Sequence, residues 1–219
     1  MTNSETTTLI LIRHGETVWN IESRFQGHFD SPLTQRGREQ IKALGKRMKG
    51  FTFNELFASD LGRTVETAAI ITGFTEHEVQ TDPRLRERHY GVLEGLTLPE
   101  INVQYADILD RLKTNDPNFI IPDGESHYQH YMRNIDFVEE KIAEKSGESI
   151  VLVVHGGVLD NLFRYVAGLG LDHPRCITTL NASLCILRHG FFYGTTRWVI
   201  ETWGDVAHLD TIGRYVGLG

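Results

Sequence analysis

Residues Thr8–Asn20 read TLILIRHGETVWN, in which four apolar residues, Leu9 to Ile12, run straight into an arginine, a histidine and a glycine. A continuous apolar run with interleaved β-branched residues predicts a strand covered on both faces, as in a parallel sheet held between helices. Ending that strand on Arg13 and His14 sets a permanent charge and a titratable ring where a buried sheet edge meets solvent. Either the pair is a solvated strand end, or it grips and attacks an anion. The stretch Ser149–Gly157, SIVLVVHGG, has the same form, an apolar run followed by His155, Gly156 and Gly157.

Around these two strands the pattern alternates. SPLTQRGREQIKALGKRMKG reads as a helix capped by Thr34, with Ile41, Leu44 and Met48 as its apolar stripe. ELFAS and EVQTD read as short strands, and DLGRTVETAAIITG between them as a helix capped by Ser59 or Asp60. GGVLDNLFRYVAG is helical, and SLCILRH and RWVIETW are later strands. Strands alternating with helices predict an α/β class, a three-layer α/β/α sandwich with a mostly parallel central sheet. Residues 95–147 break that rhythm. Leu98, Ile101, Tyr105, Ile108 and Leu112 repeat at helical spacing, as do Tyr128, Met132, Ile135, Val138 and Ile142. This stretch is expected to be a helical lid insertion of two helices and a loop within a single domain spanning 1–219. Residues 1–7, polar with nothing to bury, read as a mobile tail.

Composition narrows the function. With 22 Lys and Arg against 29 Asp and Glu the net charge is −7, which argues against a nucleic-acid face built on bulk charge. No run approaches the ~18 apolar residues of a membrane span, so no membrane partner is expected. The two cysteines lack CxxC spacing and read as reduced thiols of a cytoplasmic protein. Despite ten histidines there is no HExxH, paired-Asp or zinc-type Cys/His spacing, so no metal site is expected.

In an open parallel sheet ligands bind beyond the carboxyl ends of the strands, and the charged motifs fall there. Arg13-His14 follows the first strand. Ser59, Asp60 and Arg63 follow the second, LRERHYG (Leu85–Gly91) the third, and His155-Gly156-Gly157 the fourth. Taken singly each has a plainer reading. Arg63 could pair with Glu66 along a helix face, and Glu87 lies in a charge run with Arg84, Arg86 and Arg88. Converging at one rim, two arginine forks suit phosphate or carboxylate oxygens, and like charge keeps a neighbouring histidine neutral and nucleophilic. Glu87 is the carboxyl best placed to protonate a leaving oxygen. Together they describe phosphoryl transfer through a phosphohistidine.

LIRHGETVWN, RFQGHFDSPLTQRG, ASDLGRTVETA, LRERHYGVLEG and VVHGGVLDNL resemble, in order, the signatures of the histidine phosphatase superfamily, phosphoglycerate mutase-like branch. The resemblance runs from about Leu9 to Leu187. It implies that His14 is the phosphorylated nucleophile and that Arg13, Arg63 and His155 hold the phosphoryl oxygens. It makes Glu87 the general acid and then the base. It places Asn20, Gln26, Gly27, His89, Tyr90, Gly156 and Gly157 around the substrate. It implies a small phosphorylated metabolite as partner and no required cofactor, with 2,3-bisphosphoglycerate as primer if the protein is a mutase. Members occur as monomers and dimers, so a homodimer stays open.

Phosphatases and mutases share this set. ERHYG is mutase-like. Against that, Leu98 stands where cofactor-dependent mutases carry a lysine for the substrate carboxylate, no Arg-Arg pair follows, HGG replaces HGN, and IPDGES resembles the phosphatases. Hydrolysis of a phosphomonoester is therefore the expected activity. A phosphoglycerate mutase and a non-catalytic binder of phosphorylated ligands are the alternatives. Glu125 is expected either to cap a helix or to reach the pocket.

Overall fold

The computed structural model describes residues 6–210. Strands β1 (Thr7–Arg13), β2 (Glu55–Ala58), β3 (Val79–Thr81), β4 (Ser149–Val154), β5 (Leu184–Phe192) and β6 (Thr195–Asp205) form one sheet. Its order is β3-β2-β4-β1-β5-β6. The first four strands pair in parallel, whereas β5 runs antiparallel to β1 and β6 to β5. Among the described residues the seven α-helices are α1 (Val18–Ile21), α2 (Gln35–Met48), α3 (Gly62–Thr75), α4 (Leu98–Gln104), α5 (Ala106–Lys113), α6 (His127–Glu144) and α7 (Gly156–Ala167). The mixed α/β sandwich expected from the strand–helix alternation is the one observed.

The unbroken apolar runs are explained by the two faces. Ile10 and Ile12 of β1 join Val151 and Val153 of β4 against Ile41, Leu44 and Met48 of α2 and Ala68 and Ile71 of α3. Leu9 and Leu11 join Ile150, Leu152 and Val154 against Ile135, Phe137 and Val138 of α6 and Val158, Leu159 and Leu162 of α7. Every second residue of each strand therefore enters a different layer, and each buried aliphatic side chain contributes ~1.5–3 kcal/mol. The Thr34 cap is as expected: its side chain accepts the Gly37 N–H at 2.8 Å, worth about 1 kcal/mol.

Four local expectations are corrected. Thr7, assigned to the tail, is the first residue of β1 and is buried; residues 1–5 lie outside the described residues. Neither Ser59 nor Asp60 caps α3: the cap position is Leu61, without a side-chain bond, because Asp60 pairs with Arg86. The expected helix from Leu98 to Leu112 is two, broken at Tyr105, whose φ of −141° and ψ of 45° lie outside helical space. The expected lid of 95–147 is divided. Its α6 belongs to the layer on the sheet, whereas Ile101 of α4, Ile108 of α5, Leu93 and Ile121 form a separate small core with Phe25 and Tyr90.

Candidate active site

The register of the parallel pair builds the centre. Arg13 lies opposite Val154, so the next residues, His14 and His155, leave the sheet side by side, with ring centroids 5.3 Å apart. A carbonyl only accepts, so the 2.8 Å contact of His14 Nδ1 with the Gly15 carbonyl means that Nδ1 carries the proton. Nε2 is left with its lone pair. Burial, then the charges of Arg63 and Arg13, hold His14 well below the usual histidine range. Burial and Arg63 do the same to His155. Both rings are therefore neutral near pH 7, as a nucleophilic imidazole requires.

Two buried guanidinium groups flank them. Arg13 donates through Nη1 to the Thr179 carbonyl, and burial pushes its pKa down to about 10. Arg63, in the first turn of α3, gives Nη2 to the Gly27 carbonyl at 2.8 Å and Nη1 to the Phe29 carbonyl at 2.9 Å. Asp30 Oδ1 lies 3.3 Å from the same Nη1. The exposed Arg63–Glu66 pair considered above does not form, since Glu66 binds Arg38 at 2.7 Å. Buried Nε of Arg13, Nε of Arg63 and both nitrogens of His155 make no hydrogen bond. Such a concentration of unsatisfied polar nitrogen within a folded interior suits an anionic ligand rich in acceptors.

Glu87 arrives on the segment after β3. Its Oε2 accepts the Gly157 N–H at 2.9 Å and its Oε1 the Arg88 N–H at 2.8 Å. A Cβ on Gly157 would overlap Oε1, so a glycine there is what lets the carboxylate sit against the start of α7. Arg133 of α6 binds the carbonyls of Arg84, Arg86 and Glu87 at 2.9, 2.6 and 2.7 Å and is itself held by Glu125 at 2.6 Å. Glu125 thus neither caps α6, whose cap is Ser126, nor enters the pocket: it braces Arg133 and accepts the His89 N–H. The charge run is resolved as well, with Arg84 paired to Asp82 and Glu140, and Arg86 to Asp60.

A cavity of about 360 Å³ is lined by Arg13, His14, Asn20, Gln26, Gly27, Arg63, Glu87 and Tyr90 among the expected residues. Asn20 Oδ1 is taken by the Thr17 N–H and by Asn181 Nδ2, each at 3.1 Å, which leaves its amide N–H groups for a ligand. Gly27 has φ +53°, and a Cβ there would overlap Glu94. His155 and Gly156 lie outside the lining, His155 being fully buried beside His14. Gly157 acts through Glu87. His89 also lies outside the lining: it stacks on His28 at 4.4 Å, near Glu94.

Sequence reading missed Trp19, Ser23, Arg24, Phe25 and Asn181, which complete the wall with Leu98. Asn181 also donates to the His14 carbonyl at 3.1 Å. Apart from Trp19 on the four-residue α1, the missed residues sit on irregular segments, and none has a periodicity to mark it. A buried carboxylate ties two of the segments together: Glu94 Oε1 accepts the N–H groups of His28 and Tyr90 at 2.8 and 2.9 Å, and Oε2 that of Phe29 at 3.0 Å. Among the described residues no cluster of three His, Cys, Asp or Glu is arranged to hold a metal, and no helix is long and apolar enough to cross a membrane.

Comparison with known proteins agrees with this geometry. Residues 9–206 match the model of the histidine phosphatase superfamily, branch 1. The protein named Probable phosphoglycerate mutase GpmB of Serratia proteamaculans is 37% identical, over 92% of this chain and 94% of its own. The structure of Bacillus stearothermophilus YhfR superposes with a TM-score of 0.84 at 34% identity, covering 93% of this chain and all of that one. A mycobacterial glucosyl-3-phosphoglycerate phosphatase superposes with a TM-score of 0.80 at 29% identity, over 91% and 99%. A neutral buried histidine between two arginines, in a chain whose residues 9–206 match the family model, identifies the protein as an enzyme of the histidine phosphatase superfamily.

Proposed function

We propose that the protein hydrolyses phosphomonoesters through a phosphohistidine at His14. Nε2 of His14 attacks phosphorus, the P–O bond to the leaving group breaks, and Glu87 delivers the proton that the departing oxygen needs. Glu87, now a carboxylate, takes a proton from water, whose oxygen attacks phosphorus and releases His14 with inorganic phosphate. Arg13, Arg63 and the N–H of His155 hold the three equatorial oxygens, whose charge they oppose through both steps. No metal or organic cofactor enters this scheme.

The outer wall is the observation that favours hydrolysis over a mutase. Trp19, Phe25, Tyr90 and Leu98 are largely apolar, and the one outer cation among the described residues, Arg24, is bound at 2.8 Å to both Glu22 and Glu100. A phosphoglycerate needs a partner for its carboxylate there; an ester with an uncharged or apolar group does not. The mutase reading draws on the names of sequence relatives such as GpmB. The two separate in one assay that supplies 3-phosphoglycerate with a trace of 2,3-bisphosphoglycerate and follows 2-phosphoglycerate and free phosphate together. p-Nitrophenyl phosphate serves as a second substrate and His14→Ala as control. Phosphate without isomer is expected; isomer formed much faster than phosphate would make the protein a mutase.

A further inference from the structure

A second cavity of about 180 Å³ shares Tyr90 with the main one. Its lining includes Tyr90, Gly157, His127 and His130. His130, on α6, is 1% exposed. Its protonation can be read from a chain of amides. Asn134 Nδ2 donates to the Arg84 carbonyl at 2.7 Å, which turns Asn134 Oδ1 towards Asn161. An oxygen there requires the NH₂ of Asn161, which meets it at 2.8 Å. The same NH₂ lies 3.1 Å from His130 Nδ1, and Asn161 Oδ1 accepts from His127 Nε2 at 2.9 Å. His130 Nδ1 is therefore an acceptor, and the neutral ring carries its proton on Nε2. That Nε2 makes no hydrogen bond of full geometry and stands 3.8 Å from Glu87 Oε1, with the Arg86 carbonyl also near the ring.

We propose that His130 is a positioning residue of Glu87: its Nε2–H, fixed by the Arg84–Asn134–Asn161 chain, closes on the Glu87 carboxylate once Glu87 has given up its proton. The proposal rests on the phosphoryl-transfer reading above. Glu87 starts as the acid, loses its proton to the leaving oxygen, and is left as an anion with the Gly157 and Arg88 N–H groups already on it. A third donor lowers the energy of that anion and so of the step that forms it. His130 gives up no proton at any stage. Catalytic hydrogen bonds are commonly long before substrate binds, and closing from 3.8 Å to hydrogen-bond range asks for less than 1 Å of side-chain movement.

The surroundings keep the ring neutral. Burial is the main cause, with Arg133 and His127 on its own helix and Arg88 on the Glu87 segment adding to it; the Arg86 carbonyl works the other way. His155, at the end of β4, faces the same ring. Asp160 and Arg164 of α7 and Arg175 line the far side of the cavity, Asp160 and Arg164 paired to each other at 2.8 Å. A charged His130 would add a cation to a site already holding several.

Two near-isosteres separate the ring's two nitrogens. His130→Asn keeps a group at the Nδ1 position and loses the Nε2 donor; His130→Gln reaches the Nε2 position and keeps a donor there. The readout is the ratio of kcat/KM for β-glycerophosphate, whose alkoxide needs a proton, to that for p-nitrophenyl phosphate, whose leaving group does not. In the intact chain this ratio should fall at least tenfold in His130→Asn and recover to within about threefold in His130→Gln. A merely structural role would lower both substrates together and leave the ratio unmoved, which would overturn the proposal. Gln performing no better than Asn would overturn it too. Nitrogen-15 spectra of the wild-type protein give a readout independent of turnover, and a His130 protonated on Nδ1 would refute the tautomer. A wild-type protein with the Nε2–H tautomer that forms no phosphohistidine and turns over neither substrate would instead sink the phosphoryl-transfer reading, and this proposal with it.

Discussion

The floor and the outer wall of the main cavity are built on opposite plans. Floor residues Arg13, His14 and His155 stand at the ends of two central strands, and Arg63 at the start of a helix. Strand register places Arg13, His14 and His155, and backbone carbonyls hold Arg13, His14 and Arg63. The wall residues Trp19, Phe25 and Leu98 come from a four-residue helix, a loop and the first turn of α4, and Phe25 packs on a small core of four buried aliphatics. Rigid elements carry the chemistry, where an error of 1 Å costs about a hundredfold. In the proposed reaction the wall meets only the ester group, whose fit is worth a few kcal/mol at most.

The largest break expected in this contrast is at the floor. His14→Ala should lower kcat on any phosphomonoester by at least ~10⁴-fold, as loss of a nucleophile does, while thermal unfolding stays cooperative. Residual turnover near wild type would move the nucleophile elsewhere. Gly157→Ala places a methyl group on Glu87 Oε1. It should cost roughly 10²-fold in kcat/KM for alkyl phosphates, and wild-type kinetics would mean that the carboxylate is not held where it is seen.

The floor also sets a pH dependence of stability. His14, His130 and His155 are held neutral in the fold, well below the usual histidine range. In the unfolded chain they take up protons as pH falls through about 6.5. The unfolded state then binds more protons, so stability is full above that pH and is lost below it, by up to ~1.4 kcal/mol per unit for each ring. Urea midpoints at pH 7.5 and 5.5 should therefore separate less in His155→Asn than in wild type. Equal separations would show that the ring is not buried neutral. The smallest effect belongs to the wall. Leu98→Lys, at a half-exposed position, should raise the preference for 3-phosphoglycerate over p-nitrophenyl phosphate about two- to fivefold, the scale of an exposed ion pair. A change of a hundredfold would make the wall as exacting as the floor.

The same contrast decides what could be read from the amino-acid sequence. An apolar run without alternation has one explanation, two covered faces, so β1 and β4 and the residues at their ends were legible. Thr34 was legible because a cap bond is local. Periodicity reports burial without naming the partner, so α6 read as a lid although Ile135 and Val138 meet the sheet. Tyr105 interrupts a helix without interrupting its apolar spacing. Asp60 is a good cap by type, but Arg86, 26 residues on, takes it at 2.6 Å. Arg63 owes its burial to the carbonyls of Gly27 and Phe29, which nothing near position 63 announces. Asn181 reaches the site along an irregular segment and Trp19 on a helix too short to show a period, while His89, one residue before Tyr90, stacks on His28.

Glu94 sets a limit on how new specificity could be engineered into this cavity. Its two oxygens hold the backbone of His28 and Phe29, beside the carbonyls that grip Arg63, and the backbone of Tyr90, which begins the wall. Segment 90–95 is therefore a rivet between grip and wall, and diversifying it would shake the arginine along with the substrate. Library design belongs further out, at the half-exposed Leu98, rather than at Phe25, whose ring packs edge-to-face on Tyr90, or at Trp19, which abuts Gly95.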